Sequence, residues 1–465
     1  MHPLLRPMNT IKKLATRAIL TGATGLFLTN FAWAGIPIEH WTQPSGAQIY
    51  LVPSPAIPML DVQIDFDAGS RRDPADKAGL ASATASMVSK GVRAGVGAGE
   101  PALDENALGE AWADLGASFV AHAGDDRMSF MLRALSYPDL LGRSVDLAAR
   151  QLAQPAFPAD VWQRERGSLQ SALKEANTRP GTLAGRAFAQ AVYGQHPYGY
   201  EMTESSLNNI EVADMAALYG RVIAPCRAKV TLVGAINRAQ ADTLVQQLLS
   251  RLAEERPTSV VGCAPLPDLA EVQPLGSAVE QRIAFDSAQA HVLIGQPGFK
   301  RDDPDFFALT VGNYILGGGG FVSRLTHEVR EKRGLSYSVY SGFSPGKHAG
   351  AFTVGLQTRP DQADEAVRVT REVLAKFVAN GPTQAELQAA KDNLVGGFPL
   401  LIDSNRKLLG NVANIAWNNL PLNYLDVWTQ QVEKVTLADI KSAFGRKLQP
   451  DRMVTVVLGG PPASR

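Results

Sequence analysis

GGGGFVSRLTHEVREKRGLSYSVYSGF, residues 317–343, runs from a glycine cluster through a charged stretch to a lone Gly334 and then into β-branched and aromatic residues. The charged stretch predicts a helix opened by the glycines, Gly334 its end, and the residues beyond it a strand. Arg330 and Tyr337 then stand seven positions apart, one near the helix end and one at the strand start. A guanidinium and a phenol held there can donate hydrogen bonds to one substrate carbonyl. The plainer reading is a solvated helix whose tyrosine packs, and residue type and spacing alone leave both open. Nucleotide binding is rejected, because the glycine run has no following G-K-[ST] and no G-x-G-x-x-G spacing after a strand.

Outward from this stretch, the chain divides. Residues 258–278, TSVVGCAPLPDLAEVQPLGSA, are rich in Pro, Gly and small side chains and carry no helical period. They read as an interdomain linker. Each side of it opens with an extended apolar run, MLDVQIDFDAGS at 59–70 and AHVLIGQPGF at 290–299, and closes with a strand, at 227–236 and 452–461. Amphipathic helices lie between. Examples are 365–381, which ends at Gly381, and 383–400, whose Thr383 and Glu386 make a capping-box pattern. The expectation is two α+β domains, 35–257 and 279–465, arising from duplication.

The chain has 465 residues, with Lys+Arg and Asp+Glu both at 45. A net charge of zero argues against nucleic acid as the main partner. At the N-terminus, Arg6, Lys12, Lys13 and Arg17 precede AILTGATGLFLTNF, and Ala32-Trp33-Ala34 gives an A-x-A cleavage pattern. Residues 1–34 therefore read as a secretory signal peptide, leaving a mature chain from Gly35 that is released into the periplasm and not held in a membrane. The two cysteines, Cys226 and Cys263, are compatible with one disulfide in such a compartment, and the sequence does not decide whether they meet.

Residues 79–92 read GLASATASMVSKGV. This pattern resembles the inverzincin helix of the pitrilysin and mitochondrial processing peptidase family, zinc peptidases whose active members read G-[LI]-A-H-x-x-E-H-M-x-x-K-G-T. Gly79, Leu80, Ala81, Met87, Lys90 and Gly91 are in register with it. The chemistry is not. Two imidazoles at i and i+4 on one helix face grip zinc, and the Glu at i+3 is the general base. Here the histidine positions hold Ser82 and Ser86, and the Glu position holds Ala85. The family's third ligand falls on Ala172, seven residues after Glu165 in ERGSLQSA, with the register anchored by HPYG at 196–199.

No other metal site is legible. None of the seven histidines (His2, His40, His122, His196, His291, His327 and His348) pairs with another at i+4 or begins an H-x-x-E-H. His327 reads as a surface or capping residue, His122 with Asp125 and Asp126 as a solvated loop, and Glu175 as a helix-surface charge. A self-contained zinc peptidase is not expected.

The resemblance extends over roughly residues 40–460, and GGGFVSRLTHEVREKRGLSYSVYS is close to the family's common form for its C-terminal half. Weaker matches lie in AKDNLVGG and in VTLADI at 435–440. It implies an α+β fold of two homologous domains, each a mixed, mainly antiparallel sheet packed with helices. In the family's two-subunit types one chain carries zinc and its partner often does not, and a paired Arg and Tyr face the zinc across a closed chamber. Matched residue by residue, that pair is Arg330 and Tyr337. The resemblance therefore implies a non-catalytic subunit with no cofactor of its own. Its partner would be a homologous zinc-binding chain with an intact H-x-x-E-H, and its substrate an extended peptide. A homodimeric pseudo-peptidase that binds peptides without hydrolysing them is the alternative. A purely structural role, like that of related core subunits in respiratory complexes, is the third.

Overall fold

The runs MLDVQIDF and AHVLIGQP become the central strands of two sheets in a computed structural model of the chain, which describes residues 35–95, 99–255 and 263–460. The expected signal peptide and part of the expected linker lie outside those residues.

The first sheet holds β1 (Glu39–Thr42), β2 (Gln48–Pro53), β3 (Met59–Phe66), β4 (Ser118–Ala123), β5 (Met128–Leu135) and β6 (Lys229–Gly234), in the order β1-β2-β6-β3-β5-β4. The second holds β7 (Val279–Ile283), β8 (Ala290–Pro297), β9 (Val339–Phe343), β10 (Ala351–Thr358) and β11 (Val454–Leu458), in the order β9-β10-β8-β11-β7. In each sheet the opening strand pairs antiparallel with the closing strand: Val62 faces Leu232, and Ile294 faces Thr455. The closing strand pairs parallel with the strand that precedes the opening one. The sequence β2-β6-β3-β5-β4 thus repeats as β7-β11-β8-β10-β9 in order and direction. The chain is α+β with two homologous domains.

Period-two patterning sorts the faces of β3. Leu60, Val62, Ile64 and Phe66 enter the first core with Phe130, Trp162 and Tyr219. The other face carries Asp61, Gln63 and Asp65, all buried. Two of them take cations, with Arg133 on Asp61 Oδ1 at 2.9 Å and Arg127 on Asp65 at 2.9 Å, while Asp61 Oδ2 has no hydrogen-bond partner among the described residues.

What covers that face comes from the other domain. The helix Asn405–Trp417 packs on β3 and β6, placing Leu408, Val412 and Ala416 against Tyr50, Val52 and Val233. In return, the helix Pro180–Tyr193 of the first domain packs on β8 and β11, with Ala184, Phe188 and Val192 against Val454, Val456 and Leu458. The approach is close: a Cβ on Gly295 in β8 would meet the Phe352 carbonyl oxygen and the Phe188 ring. Each domain therefore lends a helix to the other's sheet, which is why the central strands are buried on both faces.

Cations fix the end of the helix Asn405–Trp417. Lys229 Nζ donates to the Ala416 carbonyl at 2.6 Å, Lys347 Nζ to Trp417 at 2.9 Å and Arg127 to Ala413 at 3.3 Å. Positive charge at a helix C-terminus answers unpaired carbonyls and the helix dipole. Burial pushes the Lys229 pKa down to about 8.

The helices expected at 365–381 and 383–400 span Ala363–Asn380 and Gln384–Gly397, the second opened by a Thr383–Glu386 capping box. The described part of the expected linker, 263–278, has no helix or strand. It is pinned on both sides. Cys263 is disulfide-bonded to Cys226, Arg72 donates to the Pro267 carbonyl at 3.0 Å, and Lys300 pairs with Glu271 at 2.8 Å. Among the described residues no helix is long and apolar enough to cross a membrane.

Candidate functional site

The segment from Tyr314 to Phe343 departs from a plain glycine-opened helix. Tyr314–Gly318 is one wide π turn, a short 3-10 turn follows at Gly320–Val322, and a helix beginning at Arg324 widens again into π turns over Thr326–Glu331. Bonds from Gly319 N–H to the Tyr314 carbonyl (2.8 Å) and from Lys332 N–H to His327 (3.0 Å) mark the two widened stretches. Such turns are uncommon and concentrate at functional sites. Gly334, at φ +62, turns the chain out of the helix, a conformation that costs glycine little. Tyr337 precedes β9 by two residues.

Charge pairing along this helix is selective. Arg324 pairs with Glu386 at 2.6 Å, while Lys332 and Arg333 both pair with Glu328 at 2.7 Å and hold its carboxyl down at about 2. Arg330 alone of the four cations at 324–333 has no carboxylate within ion-pair distance among the described residues. Its guanidinium lies instead 4.7 Å from the Phe321 ring centroid and 5.0 Å from that of Tyr337. Both rings are open to solvent, Phe321 at 70% exposure and Tyr337 at 82%. Sequence reasoning found the Arg and the Tyr. It missed Phe321, whose position before the helix gives no sign that it reaches Arg330.

The helix resembling the zinc helix forms at Leu80–Met87. Its start is fixed by Asp73, whose carboxylate accepts the N–H groups of Gly79 and Ala81 at 3.0 Å each. Burial pushes the Asp73 pKa up to about 7 in spite of those bonds. At the helix end, Lys90 reaches Glu105 at 2.5 Å and Glu165 at 3.2 Å, on the helix Ala159–Ala176 that also carries Ala172. The four ligand and base positions offer little to a cation. Ala85 is buried, Ser82 is half-buried, and Ser86 and Ala172 are exposed. Two hydroxyls and two methyls cannot supply the imidazole and carboxylate donors zinc takes. Among the described residues no group of three His, Cys, Asp or Glu could hold a metal ion. The residues present do not fit zinc, and no hydrogen bond, ion pair or ring contact among the described residues joins this helix to Arg330 or Tyr337.

The remaining titratable candidates separate. His327 is exposed and pairs with Glu331 at 2.8 Å, and Glu175 is an exposed charge bonded to Arg179. The solvated-loop reading of His122, Asp125 and Asp126 needs correction. His122 is exposed at the edge strand β4, but Asp126 accepts from the Tyr198 hydroxyl at 2.6 Å and pairs with Arg71 at 3.2 Å. The His196 and His348 rings meet edge to face, with centroids 4.9 Å apart. That pair was invisible in the sequence, because its members lie in different domains.

A crystal structure described as a peptidase M16 inactive domain from Pseudomonas fluorescens matches this fold with a TM-score of 0.83 and 33% identity, over 92% of this chain and 99% of that one. The chain belongs to peptidase family M16. The M16 family descriptions divide along it, "Insulinase (Peptidase family M16)" at residues 50–205 and "Peptidase M16 inactive domain" at 209–394. An uncharacterized zinc protease of Mycobacterium bovis is 27% identical over 430 residues, 92% of this chain and 94% of that protein. A Helicobacter pylori protein named a non-peptidase homolog is 29% identical over 296 residues, 62% of this chain and 65% of its own length. This M16 chain is peptidase-like and lacks the family's zinc motif.

Proposed function

We propose that this M16 chain is the non-catalytic subunit of a heterodimeric zinc metallopeptidase, lending Arg330 and Tyr337 to a peptide held at its partner's zinc. The observation that carries the reading is Arg330: a guanidinium without a carboxylate among the described residues, steadied against two exposed rings. Contact with aromatic faces restrains a guanidinium while its N–H groups, which lie in the guanidinium plane, can still donate to a carbonyl. Arg330 and Tyr337 donate to substrate carbonyl oxygens, holding the peptide and favouring the developing oxyanion. Zinc and the attacking water belong to the partner, a homologous chain with an intact H-x-x-E-H. In this reading the mature chain starts at Gly35 in the periplasm, and domains 35–257 and 279–465 flank the linker 258–278. The Cys226–Cys263 disulfide supports an oxidising compartment.

Co-expression with that partner should give peptidase activity that neither chain shows alone. In the purified pair, Arg330→Ala should lower turnover by about 10²–10³, the usual cost of losing one such donor. Full activity in that variant would remove Arg330 from the mechanism. The non-peptidase name of the H. pylori relative favours a second reading, a homodimeric pseudo-peptidase that holds peptides. Isolation from the native source as a peptide-binding homodimer, with no zinc-bearing partner, would select it.

A further inference from the structure

A cavity of about 420 Å³ lies in the second domain against the helix Asn405–Trp417, and neither Arg330 nor Tyr337 lines it. Its walls are aromatic: Phe299, Phe306, Phe398, Tyr424 and Trp428 all line it, with Asn414 among the polar groups. The volume falls within the range of small-molecule sites, and polar side chains, Thr310, Asn313, Asn411 and Asn414, share the lining with the rings. One charge lines it, Arg301.

Arg301 is 9% exposed. Its guanidinium lies 3.8 Å from the Phe306 ring centroid and 5.2 Å from that of Tyr424, and Nη2 donates to the Tyr424 hydroxyl at 2.8 Å. No carboxylate lies within ion-pair distance of it among the described residues, and no acidic side chain lines the cavity. A nearly buried cation held this way meets two neutral rings and one hydroxyl, and its other N–H donors have no side-chain acceptor among the described residues. Burying a charge without a counter-charge is costly, and a carboxylate is the bidentate match for a guanidinium.

We propose that this cavity binds a carboxylate carried on a large apolar body, with the carboxylate on Arg301 and the body among the rings. Two sources share that chemistry, a free aromatic or aliphatic acid and the C-terminus of a peptide ending in such a residue. The proposal is independent of any role for Arg330.

Titration calorimetry on the full chain tests it with three probes: N-acetyl-phenylalanine, its amide, and the tripeptide Ala-Ala-Phe. The acid should bind at least about tenfold more tightly than the amide, the usual size of one lost charge-assisted hydrogen bond. Arg301→Met should weaken the acid by a similar factor and leave the weak amide binding unchanged, while Arg301→Lys should recover part of the loss. Binding of the tripeptide alone would assign the site to peptide termini, and binding of both acids would extend it to free acids. If Arg301→Met fails to fold, the acid-against-amide comparison on the unaltered chain decides. Measurable but equal binding of acid and amide, or no binding of N-acetyl-phenylalanine and none of the tripeptide, would overturn the proposal.

Discussion

Asp73 shows how a single side chain can secure a helix and destabilise the fold at the same time. Its carboxyl takes two backbone N–H groups at the start of the helix Leu80–Met87, an arrangement that favours the charged form. Burial outweighs those bonds and puts the pKa at about 7. An acid whose pKa is higher folded than unfolded binds more protons in the folded state. Its effect on stability is therefore most favourable below about pH 4 and worsens as pH rises from there to about 7. Asp73→Asn keeps an oxygen acceptor and does not titrate. Relative to wild type, the variant should gain on the order of 2–4 kcal/mol between pH 4 and pH 8, read from paired urea titrations. A difference that does not change with pH would show that the carboxyl is charged throughout. Arg330 and Tyr337 were legible in the sequence because one helix, one glycine and one strand set their spacing. Asp73 was not, since nothing in its own neighbourhood announces that its carboxyl will be buried.

Elements were legible where their causes are local. The helices Ala363–Asn380 and Gln384–Gly397 follow their apolar period, and both ends of the gap between them are written in Gly381 and Thr383. The helix Leu80–Met87 forms, with Gly79, Leu80 and Met87 in the expected places, without the family's ligands. The π turns around Arg330 stayed hidden, because their widened bonds are chosen by what the helix packs against. The exchange of helices between domains was hidden for the same reason. Pro180–Tyr193 and Asn405–Trp417 each show an apolar stripe, but no local signal says which sheet will receive it. Phe188 tests how much that docking holds. It is buried between Pro180–Tyr193 and the second sheet, beside Gly295. Phe188→Ala should cost about 3–5 kcal/mol in urea unfolding, the range for a large side chain lost from a packed core. A loss below about 1 kcal/mol would mean that the helix rests on the sheet without being packed into it.

At the scale of the whole molecule, the domains also meet at a polar seam. His196 and Tyr198 come from the first domain, His348 and Lys347 from the second, and Glu271 from the segment between them. Asp126 binds both sides, accepting from the Tyr198 hydroxyl at 2.6 Å and from the Lys347 N–H at 2.9 Å. His348 Nδ1 stands 3.5 Å from Glu271, and the His196 ring lies 4.9 Å from that of His348. His196 Nδ1 accepts the Tyr198 N–H, so its neutral form is built into the seam. Burial lowers the His196 pKa, His348 and Arg71 add to the effect, and Glu271 opposes it. A histidine whose pKa is lower folded than unfolded binds fewer protons in the folded state. The stability it supports is fully present above about pH 6.5 and is lost as pH falls from there through the folded value. Wild type should therefore lose stability between pH 7.5 and pH 5, and His196→Gln should lose less over the same interval. Urea midpoints at the two pH values measure both. The same loss in the two proteins would assign the acid sensitivity to a group other than His196.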